Sequence, residues 1–99
     1  MKKVVIESPY AGDTVNNIMY AKKCMMDSFN RGEAPYASHL FFIQDGLLDD
    51  NNPAQRELGI SVGLEWGRSS DLVAVYTDRG ISKGMERGIH YAKLKGKRI

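Results

Sequence analysis

Short apolar runs separated by polar residues predict the strands of a sheet. Val4, Val5 and Ile6 form the first run, and three consecutive β-branched residues are typical of a strand that is buried on both faces. Pro35 to Ala37 and Leu72 to Tyr76 form two later runs. The pattern predicts parallel strands near residues 3–7, 34–38 and 71–77, and a short final strand at 97–99.

The residues after the first run have the spacing of an amphipathic helix. This helix is predicted from Thr14 to Arg31, because Asp13 can cap its free N–H groups and Gly32 can end it. Its inward stripe is expected to consist of Ile18, Ala21, Met25 and Phe29. The stretch 40–52 is predicted to be irregular.

A second helix is predicted from Pro53 onwards, with Asn52 as its cap and Gln55 placed to complete a capping box. Two stripes follow at helical spacing, an apolar one of Leu58, Val62 and Trp66 and a glycine one of Gly59, Gly63 and Gly67. Because a helical glycine costs about 1 kcal/mol relative to alanine, three glycines on one face indicate a close approach. The protein's own sheet, a second helix or another subunit makes that approach.

The last helix is predicted to begin after the capping residue Ser82 and to end near Gly96. Met85, Ile89 and Ala92 form its inward stripe. Strands and helices thus alternate along the whole chain. Alternation of this kind predicts an α/β fold, with a small parallel sheet, helices on its faces and right-handed crossovers.

The composition limits the classes of protein to which the chain can belong. Its 99 residues suffice for one domain, spanning 1–99, and the net charge of +2 is too small to indicate nucleic acid or a membrane surface as a partner. No apolar segment approaches membrane-spanning length and no signal peptide is recognisable, so a cytoplasmic protein is expected. The single Cys24 excludes an internal disulfide, and no residue spacing indicates a metal or a cofactor.

Polar residues gather where the strands of the predicted sheet end, which is where parallel α/β sheets bind ligands. The candidate ligand-binding residues are Ser8, Tyr10, Gly12, Asp13, His39, Asp78, Ser82 and Gly84. Their hydroxyls and carboxylates suit a sugar, a tyrosine ring can stack on a base, and the start of the last helix attracts phosphate. Simpler roles stay open for three of them: Asp13 as a helix cap, Tyr10 as packing and His39 as a partner of the backbone.

Four motifs stand out along the chain: IESPYAGD with Asn17 and Tyr20-Ala21 downstream, APYASHL, YTDRGISKGM and IHYAKLKGK. Together they resemble the nucleoside 2-deoxyribosyltransferase-like superfamily, and most of all a small branch found in bacteria and phages. The resemblance covers nearly the whole chain and implies a three-layer flavodoxin- or Rossmann-like sandwich that assembles as dimers or larger. It also implies a nucleoside or nucleotide as the ligand, because similar enzymes exchange or hydrolyse the base of deoxynucleosides or their 5′-monophosphates.

The chain departs from this resemblance at the residue that performs the chemistry. In the similar enzymes, counting from Ser82 and Ala92, a nucleophilic glutamate stands at position 88, where this chain has Gly88. Asp78 and Glu86 are the candidate catalytic residues that remain, although two helical positions turn Glu86 away by about 200°. This resemblance adds Met85 and Gly88 to the candidate ligand-binding residues.

The first hypothesis is therefore a nucleoside- or nucleotide-binding protein with weak or no catalytic activity. The alternative is an active deoxyribosyltransferase or deoxynucleoside monophosphate N-glycosidase that uses Asp78 or Glu86. A second alternative is a protein-interaction module built on the acidic loop and the glycine-striped helix. A homo-oligomer is expected, since Leu47, Leu48 and the glycine stripe offer surface that a small core leaves uncovered.

Overall fold

The computed structural model describes residues 1–99 and confirms an α/β fold with an all-parallel sheet. The strands are β1 (Lys3–Glu7), β2 (Ala34–Tyr36) and β3 (Leu72–Val75), in the spatial order β2-β1-β3. The helices are α1 (Thr14–Asn30), α2 (Ser38–Phe42), α3 (Pro53–Gly67) and α4 (Lys83–Leu94). The predicted last strand is reduced to one parallel bridge, which joins Arg98 to Leu72.

The central strand β1 separates the two faces of the sheet, because successive side chains of a strand point to opposite sides. Val4 and Ile6 face α1, where they pack in the hydrophobic core with Tyr20. Val5 and Glu7 face the opposite side, where they lie against glycines of α3 and α4. The fold is therefore a sandwich of three layers. None of its helices has both the length and the apolar composition that crossing a membrane requires.

Helix α1 begins as predicted, with the carboxylate of Asp13 accepting a hydrogen bond from the backbone N–H of Asn16. Its inward face confirms Ala21 of the predicted stripe, and Met25 packs against the core, but the other buried residues of the helix are Asn17, Tyr20, Cys24 and Ser28. The placement of Phe29 in the core was wrong, since 52% of this residue is exposed. Small and polar residues can face the sheet because their polar groups form hydrogen bonds. The hydroxyl of Ser28, for example, donates to the carboxylate of Glu33 at 2.8 Å.

Helix α3 turns its glycine stripe inward and its apolar stripe outward. The expected inward packing of Leu58 and Trp66 was wrong, because these residues are 53% and 65% exposed. A Cβ atom placed on Gly63 would lie 2.8 Å from the Cβ of Ser38 in α2, so only glycine fits there. The predicted close approach is confirmed, and the chain's own elements make it.

The stretch predicted to be irregular contains the short helix α2 and a bridge between Ile43 and Leu48. Asn52 caps α3 by accepting a hydrogen bond from the N–H of Gln55 at 3.1 Å. The predicted capping box is incomplete, because the side chain of Gln55 accepts from the N–H of Asp49 at 2.7 Å instead. The glutamine thus ties the preceding loop to the start of α3.

Candidate functional site

A cavity of about 420 Å³ lies between the sheet and helices α3 and α4. Val5, Glu7 and Val73 line it from the sheet. The helices contribute Gly63, which lies against Ser38 of α2, and Gly88, which lies against the carboxyl of Glu7. The volume falls in the range of small-molecule sites, which is about 300–1,000 Å³.

Most of the residues predicted to bind a ligand line this one cavity. They are Ser8, Tyr10, His39, Ser82, Gly84, Met85 and Gly88. Ser8 and Tyr10 follow the end of β1, whereas Ser82 precedes α4 on the segment that leaves β3. Because all strands are parallel, their carboxyl ends meet at one edge, and the residues that follow them converge there.

Four predicted residues lie outside the cavity. Asp13 caps α1, and Gly12 forms the preceding turn with a φ of 93°. The carboxylate of Asp78 accepts a hydrogen bond from the hydroxyl of Tyr20, 3.1 Å away, on the α1 side of the sheet. Glu86 is exposed on the first turn of α4. Neither of the two candidate catalytic carboxylates therefore contributes to the cavity wall.

Three buried polar side-chain atoms have no hydrogen-bond partner, and all three belong to residues of the cavity. They are the hydroxyl of Ser8, the hydroxyl of Tyr36 and Nε2 of His39. Ser8 is only 6% exposed. A buried polar group without a partner costs about 1–3 kcal/mol, so its presence in a folded protein requires an explanation. Their shared location marks this wall of the cavity as the place where buried hydrogen-bonding groups stand unpaired.

The imidazole of His39 is uncharged at neutral pH, because burial lowers its pKa to about 4. Its ring lies 5.2 Å from that of Tyr10, measured between centroids. Burial also raises the pKa of Tyr36 to about 12, so its hydroxyl keeps its proton. The polar wall thus offers neutral donors and acceptors, which suit the edge of a base or the hydroxyls of a sugar.

Glu7, like Tyr36 and Lys83, is a cavity residue that the sequence analysis missed. Burial raises the pKa of its carboxyl to about 7, and no charged neighbour contributes to this rise. The carboxyl lies against Gly88, where a Cβ atom would be 2.6 Å from the Cδ atom of Glu7. Strand alternation could have identified it, since a charged residue that ends a strand buried on both faces must point towards a helix layer.

The start of α4 forms the other polar part of the cavity. The hydroxyl of Ser82 accepts a hydrogen bond from the N–H of Met85 at 3.2 Å, which confirms the predicted cap. Lys83 lines the cavity beside it. Arg87 also lines the cavity, but both of its terminal nitrogens donate to the carboxylate of Glu57, at 2.9 and 3.0 Å. Lys83 is therefore the cation closest to the helix start that has no acidic partner.

The chain belongs to the DUF7768 family, which is described as a domain of unknown function and whose profile matches residues 2–99. No similar protein was found among curated proteins or among solved structures. The match includes every residue of the cavity, so the cavity is part of the domain that defines the family.

Proposed function

We propose that this DUF7768 domain binds a nucleoside or a nucleotide in the cavity between the sheet and helices α3 and α4. The observation that carries the proposal is the set of unpartnered buried atoms of Ser8, Tyr36 and His39, which all line that cavity. A ligand with several hydrogen-bonding groups restores the lost partners at once. The resemblance of the motifs to nucleoside 2-deoxyribosyltransferase-like proteins supports the same class of ligand.

The two polar ends of the cavity suit the two ends of a nucleotide. A 5′-phosphate fits the start of α4, where free backbone N–H groups, the helix dipole and Lys83 attract an anion. The sugar and base then lie towards Tyr10 and His39, whose uncharged rings line the cavity beyond Ser8. Binding of this kind requires no metal and no cofactor.

Binding is tested by calorimetric titration with deoxynucleosides, ribonucleosides and their 5′-monophosphates. The wild type is expected to bind at least one of them, and Ser8→Ala is expected to weaken that binding about tenfold, the scale of one lost hydrogen bond. Ser69→Ala serves as the matched control, because Ser69 is exposed at the end of α3 and does not line the cavity. If no nucleoside or nucleotide binds the wild type, the protein-interaction module is the better account.

A second candidate function is release or exchange of the base of a deoxynucleoside. The observation that favours it is the contact of Glu7 with Gly88, since the resemblance implies a glutamate at position 88 and the carboxyl of Glu7 occupies the adjoining space. In that reaction the carboxylate bonds to C1′ while the C1′–N bond breaks, its electron pair leaves with the base and the base takes up a proton. Water or a second base then displaces the carboxylate.

Free base is measured by chromatography after incubation of deoxynucleosides and their monophosphates with wild type and variants. If the protein is an enzyme through Glu7, Glu7→Gln loses base release, whereas Asp78→Asn and Glu86→Gln keep it. If base release is lost only in Asp78→Asn or only in Glu86→Gln, the substituted residue is the catalytic one. No release by a wild type that binds nucleotides leaves the binding function as the whole activity.

A further inference from the structure

We infer that Glu7 binds the hydroxyl-bearing sugar of the ligand and that it does so as a carboxylate, with its proton passing to the solvent when the ligand enters. The inference rests on the proposed function and extends it by naming the residue, the part of the ligand and the ionisation state. It concerns binding and requires no chemical step on the ligand.

The geometry places the Glu7 carboxyl where a ligand can reach it. Glu7 ends the central strand, lines the cavity and points away from the core formed by Val4 and Ile6. A side chain at position 88 would fill the space that the carboxyl occupies, so Gly88 provides its room. The cavity wall is thus built around this carboxyl.

The surroundings of Glu7 provide its carboxyl oxygens with no hydrogen bond and no ion pair that would offset the cost of burial. Burial is the sole cause that raises its pKa, so no hydrogen bond or ion pair within the protein stabilises the carboxylate. A buried carboxylate is favoured when a ligand donates hydrogen bonds to it, and its pKa then falls. Sugar hydroxyls are neutral donors and supply such bonds, whereas a phosphate would repel the carboxylate and fits the α4 end instead.

The rings of His39, Tyr36 and Tyr10, which lie near this end of the cavity, do not titrate in the same range as Glu7. Burial keeps His39 neutral with a pKa of about 4, and it raises the pKa of Tyr36 to about 12 and that of Tyr10 above its usual value. The charged residues of the wall are Lys83 and Arg87 from α4, Arg56 from α3 and Asp50 from the loop before it. Arg68, Lys95 and Lys97 lie near the amino end of β3, where Lys97 donates to the carbonyl of Ser70.

The inference is tested by isothermal titration calorimetry with the four 2′-deoxynucleosides and their 2′,3′-dideoxy counterparts, at pH 6 and pH 8 and in two buffers of different ionisation enthalpy. The affinity of the wild type for the deoxynucleoside that binds best is expected to rise about tenfold from pH 6 to pH 8, because the ionised fraction of a group with a pKa of about 7 rises by that factor. About half a proton is expected to be released per ligand at pH 7.

Three comparisons separate the inference from its alternatives. Glu7→Gln is expected to lose the pH dependence, whereas the exposed control Glu65→Gln keeps it. Gly88→Ala, checked for folding by circular dichroism, is expected to displace the Glu7 carboxyl and to weaken binding at pH 8. The dideoxynucleosides, which lack the 3′-hydroxyl but keep the 5′-hydroxyl, are expected to bind without pH dependence. A dependence that persists with them excludes the 3′-hydroxyl as the partner of Glu7, and a dependence that persists with the free base assigns Glu7 to the base and overturns its sugar contact.

The outcomes also distinguish this inference from the proposed function. If deoxynucleosides bind the wild type equally at both pH values, or if Glu7→Gln binds like the wild type, the inference is overturned and the proposed function stands. If no nucleoside and no nucleotide binds the wild type, both are overturned.

Discussion

The carboxyl group of Glu7 occupies space that only a glycine at position 88 leaves free. The two residues lie far apart in the sequence, on β1 and α4, and a Cβ atom at position 88 would be 2.6 Å from the Cδ atom of Glu7. The pair therefore acts as a unit: a side chain at position 88 requires the carboxyl to move. Gly88→Glu, which would place two carboxyls in one buried space, is accordingly expected to disturb the cavity rather than to add a function to it.

The dependence of stability on pH should reveal two half-buried groups, Glu7 and His39, whose effects on stability change with pH in opposite directions. The folded protein raises the pKa of Glu7 from 4.5 to about 7, so the stabilising contribution of the protonated form is lost as the pH rises through this window. It lowers the pKa of His39 from 6.5 to about 4, so the contribution of the neutral imidazole is lost as the pH falls through that window. Where the windows overlap, the two effects cancel.

We therefore expect the free energy of unfolding of the wild type to change little between about pH 5 and pH 6. Glu7→Gln should lose stability towards the acid side, and His39→Gln towards the alkaline side, each by up to about 1.4 kcal/mol per pH unit. Urea denaturation at several pH values measures these slopes. Parallel profiles for the wild type and both variants would contradict the assignment of the two half-buried groups.

The glycine stripe of α3 predicts opposite effects for one substitution at two positions. Gly63→Ala should destabilise the protein by about 1–3 kcal/mol, because the new Cβ would meet the Cβ of Ser38, which is attached directly to the backbone of α2. Gly67→Ala should be neutral or stabilising by up to about 1 kcal/mol, since its Cβ would lie at an ordinary 3.5 Å from Val5. Urea denaturation compares the two, and equal stabilisation of both variants would show that helix propensity rather than packing governs this face.

Removal of the Ser82 hydroxyl at the start of α4 should weaken the binding of a 5′-monophosphate more than the binding of a nucleoside. Ser82→Ala should weaken the binding of a 5′-monophosphate by about 1–2 kcal/mol, the scale of a charge-assisted hydrogen bond, and that of the matching nucleoside less. The variant also loses the helix cap, in which the Ser82 hydroxyl accepts from the N–H of Met85, and this loss costs about 1 kcal/mol of stability. Ser82→Thr keeps both the cap and the hydroxyl and is the control. Equal losses for nucleoside and monophosphate in calorimetry would place the phosphate elsewhere.

The homo-oligomer stays a prediction. Because the glycines of α3 face inward, the exposed apolar residues are now the surface expected to form the interface. Leu58 and Trp66 lie on the outward face of α3, and Met19 lies exposed on α1. A stable interface should bury about 800 Å² per partner, and sedimentation at micromolar concentration should show at least a dimer. Trp66→Glu should dissociate it if α3 forms the interface, whereas dissociation by Met19→Glu alone would assign the interface to α1. A monomeric wild type would contradict the prediction.

The sequence by itself determined the three strands, the helices α1, α3 and α4, the order of these elements and the edge of the sheet at which the cavity opens. Apolar runs, caps such as Asp13 and Ser82, and stops such as Gly32 act within a few residues, so their signals can be read locally. The alternation of strands and helices then determined a parallel sheet, because a crossover helix returns the chain in the same direction. Most of the residues predicted to bind a ligand follow from this topology alone.

The tertiary structure decided which side of each helix faces the sheet and which carboxyl enters the cavity. Leu58 and Trp66 have the spacing of a core stripe, yet α3 lies so close to α2 and β1 that only its glycine face fits between them. Asp78 is bound to Tyr20 on the other side of the sheet, while Glu7 fills the room beside Gly88. Such outcomes depend on the space that distant segments leave to one another, and a local pattern of residues carries no measure of that space.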